Sequence, residues 1–299
     1  MAAMIIDGKK IADQVKLELI EEIHNLKQQG VIPGLATILV GENPASATYV
    51  QMKEKMCAEL KMLTRSYRLP ADIGEGELVS IVESLGSDPE IHGILVQLPL
   101  PPHIHERRVI YAIPPQKDVD GFHPLSWGRM MMGEDSFLPC TPAGIQELLL
   151  RSGFGPEKKH VVIVGRSQIV GLPLANILVR KAPGANATVT ICHTGTPNMS
   201  ELTRQADILV AAMGRPEVIT ADMVNDHAIV IDVGVNRVTA PETKKGYRLV
   251  GDVHFESVSQ KVQAISPVPG GVGPMTIIML MKNTVKAAMW SLSQRQPGH

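Results

Sequence analysis

The chain is poor in several features that would each narrow its function. It has three cysteines, Cys57, Cys140 and Cys192, which are odd in number, far apart and in no C-x-x-C pattern. That argues against a disulfide framework or a cysteine-held zinc and suits a reducing compartment. An excess of either charge is lacking too. Lys plus Arg number 29 against 30 acids, giving a formal charge of -1, and there is no long basic run. Nucleic acid and anionic membrane are therefore not expected as main partners. No uncharged apolar run is long enough to span a bilayer, since even MTIIMLMKNTV carries Lys282. The opening MAAMIIDGKK reaches Asp7 and Lys9 too soon for a secretory leader, so a cytoplasmic location is expected. The ten histidines form no paired ligand motif, and His103 and His105, close in a proline-rich loop, read as solvated. No metal site is expected. Aromatics make up only 3% against 15 methionines, which suggests a soft, Met-filled core.

What is present reads as globular: 299 residues, 44% hydrophobic and 20% charged, enough for two domains or one large one. Short apolar runs alternate with helical patterns, the signature of an α/β fold. In the first half the strand candidates are LATILVG (35–41), RSYRL (65–69) and HGILVQL (92–98), with helical patterns near 9–29, 44–62 and 75–86. GEDSFLPCTPAG (133–144) is rich in turn formers and reads as a hinge or boundary. A second series follows: HVVIVG (160–165), ATVTIC (187–192), DILVAAMG (207–214) and AIVIDVGVN (228–236). Such nearly continuous apolar runs suit parallel strands covered on both faces. After SPVPGGVGP (266–274) comes a long apolar helix from about Met275 to Trp290.

In VVIVGRSQIVGLPLANILV a buried strand runs into Gly165-Arg166-Ser167, and a helix opens near Val170-Gly171. This is the layout of a Rossmann strand–turn–helix, whose helix N-terminus offers N–H groups to a pyrophosphate. Ser167 stands where a strict G-x-G-x-x-G has its second glycine, so the turn alone is a weak signal; the three strands that follow at βαβ spacing strengthen it. NAD binders commonly end the second strand in a carboxylate that accepts from the ribose 2′-OH. Here that strand ends Cys192-His193-Thr194, with no acid. A 2′-phosphate would be repelled by an acid and welcomed by a guanidinium and a hydroxyl, which Arg166 and Thr194 supply. NADP is expected over NAD, and His193 reads as a satisfied strand-end histidine.

The other informative stretch is ATYVQMKEKMCAEL (47–60). At helical spacing Tyr49, Met52, Met56, Leu60 and Leu63 form one stripe, and Lys53 falls inside it, roughly 20° from Leu60. A lone lysine there would snorkel to water. Three further features favour a chemical role instead. Gln97 follows the apolar strand in GILVQLPLP, Asp118 and Asp120 share the turn KDVDGFHP, and SPVPGGVGPMT has glycines that would let a flat ligand approach backbone.

Taken together, IIDGKKIA, VGENPASATYVQMK, GILVQLPLP, KDVDGFHP, PCTP, VGRSQIVGLP, GDV (251–253) and PVPGGVGPMT resemble the bifunctional methylenetetrahydrofolate dehydrogenase/cyclohydrolase family over nearly the whole length. The resemblance implies an N-terminal α/β catalytic domain and a Rossmann-type, doubly wound NADP-binding domain. The expected boundaries are residues 1–143 for folate, with 275–299 returning to them as a helix, and 144–274 for the dinucleotide. It also implies a homodimer acting on tetrahydrofolate derivatives. Residue by residue, it makes Lys53 the essential lysine, Tyr49 the stacking tyrosine, Gln97 the lysine-tuning glutamine and Asp120 the acid that grips the pterin. Pro269, Gly270 and Gly273 match the loop along the folate. Gly165, Arg166, Ser167, Thr194 and Val235 match cofactor contacts, with Thr141 and Thr276 as further carry-overs. Many relatives have Ser at Thr194 and Ile at Val235, changes that keep the local chemistry.

The physics suits those roles. A carboxylate accepts the two adjacent donors of a pterin as it would a guanidinium, and a tyrosine offers a flat face. Burial beside Met and Leu would favour a neutral amine, as hydrolysis of a cationic methenyl bridge requires. Alternatives are a dehydrogenase without cyclohydrolase activity and a non-catalytic dinucleotide sensor. Tyr49-x-x-x-Lys53 also has the spacing of a short-chain dehydrogenase dyad, but it precedes the glycine turn by a whole domain.

Overall fold

In the computed structural model, residues 3–243 and 246–295 are described. The chain opens with β1 (Met4–Ile5) and α1 (Gly8–Gln28), then β2 (Gly34–Val40), α2 (Pro44–Glu59), β3 (Leu63–Leu69), α3 (Glu75–Ser87) and β4 (Gly93–Val96). Helices α4 (Glu106–Ala112), α5 (Pro124–Met132) and α6 (Cys140–Arg151) lead to β5 (His160–Val164), α7 (Gly171–Val179), β6 (Thr188–Cys192), α8 (Met199–Thr203), β7 (Ile208–Ala211) and β8 (Ile229–Asp232). A hairpin, β9 (Asn236–Thr239) and β10 (Tyr247–Val250), precedes α9 (Phe255–Ser259), β11 (Ala264–Ile265) and the long α10 (Val272–Arg295). No helix among the described residues is long and apolar enough to cross a membrane.

Two compact units form. One holds the N-terminal segment through Asp13 together with Thr141–Thr276; the other holds Gln14–Cys140 and the segment from Ile277 onward. The expected grouping of residues 1–143 differs at its start. β1 pairs in parallel with β11, Met4 opposite Ala264, so the first residues join the larger sheet.

The larger sheet is parallel, in the order β1-β11-β8-β7-β5-β6. Its central strands β7 and β8 are buried at every position, as their uninterrupted apolar runs require when helices cover both faces. From β5 the chain moves outward to β6 and then returns to the other side of β5 as β7, which puts a topological switch point between β5 and β7. The smaller sheet, β3-β2-β4, repeats the device. β2 pairs in parallel with β3 on one side and with β4 on the other, so its switch point lies between β2 and β4. Leu78, Val82 and Leu85 of α3 bury into the same cluster as Ala36, Ile38, Ile94 and Val96.

Helix α2 starts cleanly. Asn43 Oδ1 accepts from Ala45 N (3.0 Å) and Ser46 N (3.1 Å), and Pro44 takes a first-turn position that needs no N–H donor. Its buried face is not the expected Tyr49-Met52-Met56 stripe. Ser46, Val50, Lys53 and Cys57 are buried, while Met52 is 46% exposed. Small residues face inward here because α2 packs on β2 and β3 and also receives α10, whose Met281 sulfur lies 3.4 Å from Cys57 Sγ. Residues of α10 from Ile277 onward group with this unit.

Candidate active site

The unit with the smaller sheet gathers its chemistry at the carboxyl ends of β2 and β4. Gln97 directly follows β4, and its backbone N donates to Ile38 O (2.9 Å), extending the pairing by one residue. The side chain is fixed at both ends. Its Nε2 donates to Leu98 O (2.9 Å), and its Oε1 accepts from Lys53 Nζ at 3.0 Å. Lys53 is only 7% exposed, at the centre of the buried face of α2. A buried polar side chain needs such a partner, because an unpaired one is costly. Tyr49 lies one turn earlier on α2 and is half-buried; burial pushes its phenol pKa up.

Asp120 completes the group. Burial raises its carboxyl pKa, while Lys53 and the Cys140 thiol both hold it down. The turn that presents Asp120 is set by Asp118, which is 1% exposed and accepts from Phe122 N (3.1 Å), His123 N (2.8 Å) and Ser126 Oγ (2.7 Å). The two acids thus have separate jobs, one shaping the turn and one left beside the lysine. Desolvation lifts Asp118 to about 6 despite those donors. Behind the turn, Asn283 of α10 donates to Val119 O (2.8 Å) and Leu138 O (3.0 Å), and Cys140 Sγ donates to Val119 O (3.3 Å).

The unit with the larger sheet carries a cavity of about 460 Å³ at its own switch point, lined by Gly165, Arg166 and Ser167 after β5, His193, Thr194 and Thr196 after β6, and Met213 and Arg215 after β7. Gly165 has φ 133°, and a Cβ there would lie 2.1 Å from Ala212 O, so only glycine lets the β5 turn cross the β7 end. Ser167 Oγ accepts from Val170 N (3.2 Å) as the chain enters α7. Two guanidinium groups and three hydroxyls around one concavity fit a phosphorylated, flat-ringed ligand such as a dinucleotide.

Residues 6–120 match the catalytic domain of tetrahydrofolate dehydrogenase/cyclohydrolase, and residues 139–292 match the family's NAD(P)-binding domain. The chain belongs to the tetrahydrofolate dehydrogenase/cyclohydrolase family. It is 58% identical over 290 residues to the bifunctional protein FolD of Dehalococcoides mccartyi (strain CBDB1), covering 96% of this chain and 97% of the relative. Among solved structures, the FolD methylenetetrahydrofolate dehydrogenase/cyclohydrolase of Campylobacter jejuni superposes with a TM-score of 0.90 at 46% identity, covering 96% of this chain and 99% of that one. The Trypanosoma brucei enzyme, complexed with NADP cofactor and inhibitor, superposes with a TM-score of 0.92 at 39% identity, covering 97% and 99%. The α/β fold with a Rossmann-type domain is that of the family.

Within this family fold, the structure places Lys53, Gln97 and Asp120 together with Tyr49 nearby on α2, and Gly165, Arg166, Ser167 and Thr194 on one cavity. Val235 is 47% exposed and lies outside that cavity's lining. Thr141 and Thr276 also lie outside it and bond to each other at 2.9 Å. Pro269 and Gly270 sit on the loop before α10, where Gly270 O accepts from Lys9 N (3.1 Å), and Gly273 falls in the first turn of α10. His193 does two things. Its Nδ1 accepts from Gly195 N (3.1 Å), as a strand-end histidine would, yet the residue also lines the cavity. Sequence reasoning missed Thr196, Met213 and Arg215 as cavity residues and Asn283 as the support behind Asp120. The β7 run ending in glycine was the available signal for Met213 and Arg215.

Proposed function

We propose that this chain oxidises 5,10-methylenetetrahydrofolate to 5,10-methenyltetrahydrofolate with NADP and then hydrolyses it to 10-formyltetrahydrofolate. The observation that carries this reading is the buried Lys53 amine held by Gln97 beside Asp120, at a sheet switch point in a chain whose other unit has a cavity lined by arginines and hydroxyls. NADP supplies the hydride acceptor. In the cyclohydrolase step water adds to the methenyl carbon and loses a proton to the Lys53 amine, which Gln97 keeps in place. Opening of the ring to N5 then gives the 10-formyl product. Asp120 accepts the paired donors of the pterin, Tyr49 stacks on its face, and the Pro269–Gly273 loop runs along the folate. Arg166 and Thr194 take the 2′-phosphate, with Gly165, Ser167, Val235, Thr141 and Thr276 as the remaining cofactor contacts. The unit with Lys53 serves folate, and the unit with the cavity serves the dinucleotide. The chain acts in the cytoplasm as a homodimer.

The deciding experiment is a parallel dehydrogenase assay with NADP and with NAD, followed by the methenyl-to-formyl reaction. Expected are NADPH formation, a clear preference for NADP, and loss of methenyl absorbance. An enzyme that reduces NADP but leaves the methenyl compound to its spontaneous rate is a monofunctional dehydrogenase; one that does neither is a sensor. In the same assay Asp120→Ala should raise the folate KM by more than about 100-fold, since two charge-assisted bonds are worth about 3 kcal/mol or more. An unchanged KM removes the pterin contact.

A further inference from the structure

The unit with the larger sheet contains two buried carboxylates that the scheme above does not use. Asp252, just after β10, is wholly buried. Its Oδ2 accepts from Met213 N (2.5 Å) and Gly214 N (2.9 Å), and its Oδ1 from Arg215 N (3.0 Å) and Asn236 Nδ2 (2.9 Å). Four donors on two oxygens saturate the group, so the charge is compensated without a cation. Asp232, at the end of β8, holds the holder. Its Oδ1 accepts from Asp252 N (2.9 Å) and Gly234 N (3.0 Å), and its Oδ2 from Val253 N (3.0 Å). The backbone at 234 and 251 passes so close that a Cβ would meet Asp252 Oδ1 at 2.1 Å and Asp232 Oδ2 at 1.7 Å.

The location gives this array a function. Met213 and Arg215 line the cavity, and Asn236 adjoins Val235 on the segment after β8. One carboxylate therefore ties together the loops leaving β7 and β8, at the carboxyl edge where an open parallel sheet receives its ligand. We propose that Asp252 is a positioning residue for the dinucleotide, fastening the 213–215 loop to Asn236 so that one wall of the cavity is preformed before the cofactor arrives. This rests on the reading of the cavity as the NADP site. A preformed wall spares the ligand the cost of ordering a loop, so its loss is felt in cofactor affinity. Asparagine cannot replace Asp252, because its NH₂ would face backbone N–H donors.

The test is calorimetric titration of the full-length protein with NADP, alongside steady-state kinetics and thermal unfolding, for the wild type, Asp252→Asn and Asn236→Ala. Asp252→Asn should raise both the Kd and the KM for NADP at least tenfold, with kcat at saturating NADP within about threefold. Asn236→Ala, which spares the three backbone bonds, should raise the Kd two- to fivefold. A folded Asp252→Asn that binds NADP within twofold of the wild type overturns the inference. Should that variant not fold, Asn236→Ala decides, and unchanged affinity in that folded protein overturns it. A wild type that binds no NADP overturns the cofactor reading and the inference with it, whereas wild-type binding with an indifferent Asp252→Asn overturns the inference alone.

Discussion

At its switch point the larger sheet presents fixed charges and hydroxyls around a glycine turn: Arg166 and Ser167 after β5, Thr194 and Thr196 after β6, and Arg215 on a loop after β7 whose amides are taken up by a buried acid. At the equivalent place the smaller sheet presents a titratable amine, a lysine from the helix after β2 held by a glutamine from the end of β4. The difference follows the chemistry each crevice serves. A polyanion with a flat ring is recognised by fixed cations and hydroxyls, and nothing in that task requires a proton to move. Hydrolysis of a cationic bridge requires a group that can take up and release a proton, which only a side chain provides. The same topology thus hosts a binding edge in one unit and a reactive edge in the other.

The widest break in that contrast should come from Lys53→Met. It removes the only proton carrier assigned to the smaller sheet and leaves a side chain that suits the buried face of α2. Cyclohydrolase turnover should fall by about 10²–10⁴-fold, the usual worth of general acid–base catalysis, with no loss in Tm. Full hydrolysis by the variant would end the proposed role.

A second contrast lies in how the unit with the smaller sheet holds its acids, and pH exposes it. Asp118 titrates near 6, above its ordinary 3.8, because burial disfavours the charge. A raised carboxyl pKa means that the folded state binds the proton more tightly than the unfolded one. The stabilisation is fully present below about pH 4 and is lost as pH rises through 6. At 1.36 kcal/mol per unit this amounts to about 3 kcal/mol. Urea unfolding of the wild type and Asp118→Asn should show the wild type's relative stability falling by that order between pH 4 and 7. A difference that stays flat over this range would mean that Asp118 is not held as described.

The binding edge should break more gently. Arg166 is exposed, so its contribution to a phosphate contact is screened by water. Arg166→Gln should raise the KM for NADP about tenfold, near 1.4 kcal/mol, and leave the KM for NAD unchanged. Equal losses with both cofactors would assign Arg166 to the shared pyrophosphate instead.

How far each crevice could be read in advance follows the same division. The strands at 35–41, 92–98, 160–165 and 207–214 stand out because buried parallel strands are written as unbroken apolar runs, and Gly165 announces its turn locally. β1 and β11 are two residues each and exist only because they find each other across the chain. The hairpin β9–β10 is half-exposed and polar, and α6 hides behind the turn-like PCTPAG, where the proline sits in a helix's first turn. The α2 stripe was misjudged for a related reason. Met52 looks like core in a helical wheel, but Cys57 is the residue that meets Met281 of the returning helix. Lys53, Gln97 and Asp120 were legible as a set through family resemblance, not through periodicity. Asp252 and Asn283 act through backbone groups far away in sequence, which no local pattern encodes.

Asn283 offers the finest test, because it asks whether the reactive edge also relies on a polar side chain to hold backbone, as the binding edge is proposed to do through Asp252. Its amide joins Val119 O and Leu138 O, the carbonyl just before Asp120 and the one just before Pro139, so it braces the segment that presents Asp120 from behind. Asn283 is remote in sequence from both and comes from the returning helix, which makes that helix part of the site's support as well as core. Asn283→Ala removes both bonds, leaving Leu138 O without this donor and Val119 O with the Cys140 thiol alone, at about 0.5–1.5 kcal/mol for each bond lost. If the bracing matters for chemistry, the folate KM should rise about three- to fivefold while the NADP KM stays fixed, and Asn283→Ser, able to reach one carbonyl, should fall between the two. A lowered Tm with both KM values unchanged would make Asn283 a packing residue only, and the dependence on buried polar bracing would then belong to the binding edge alone.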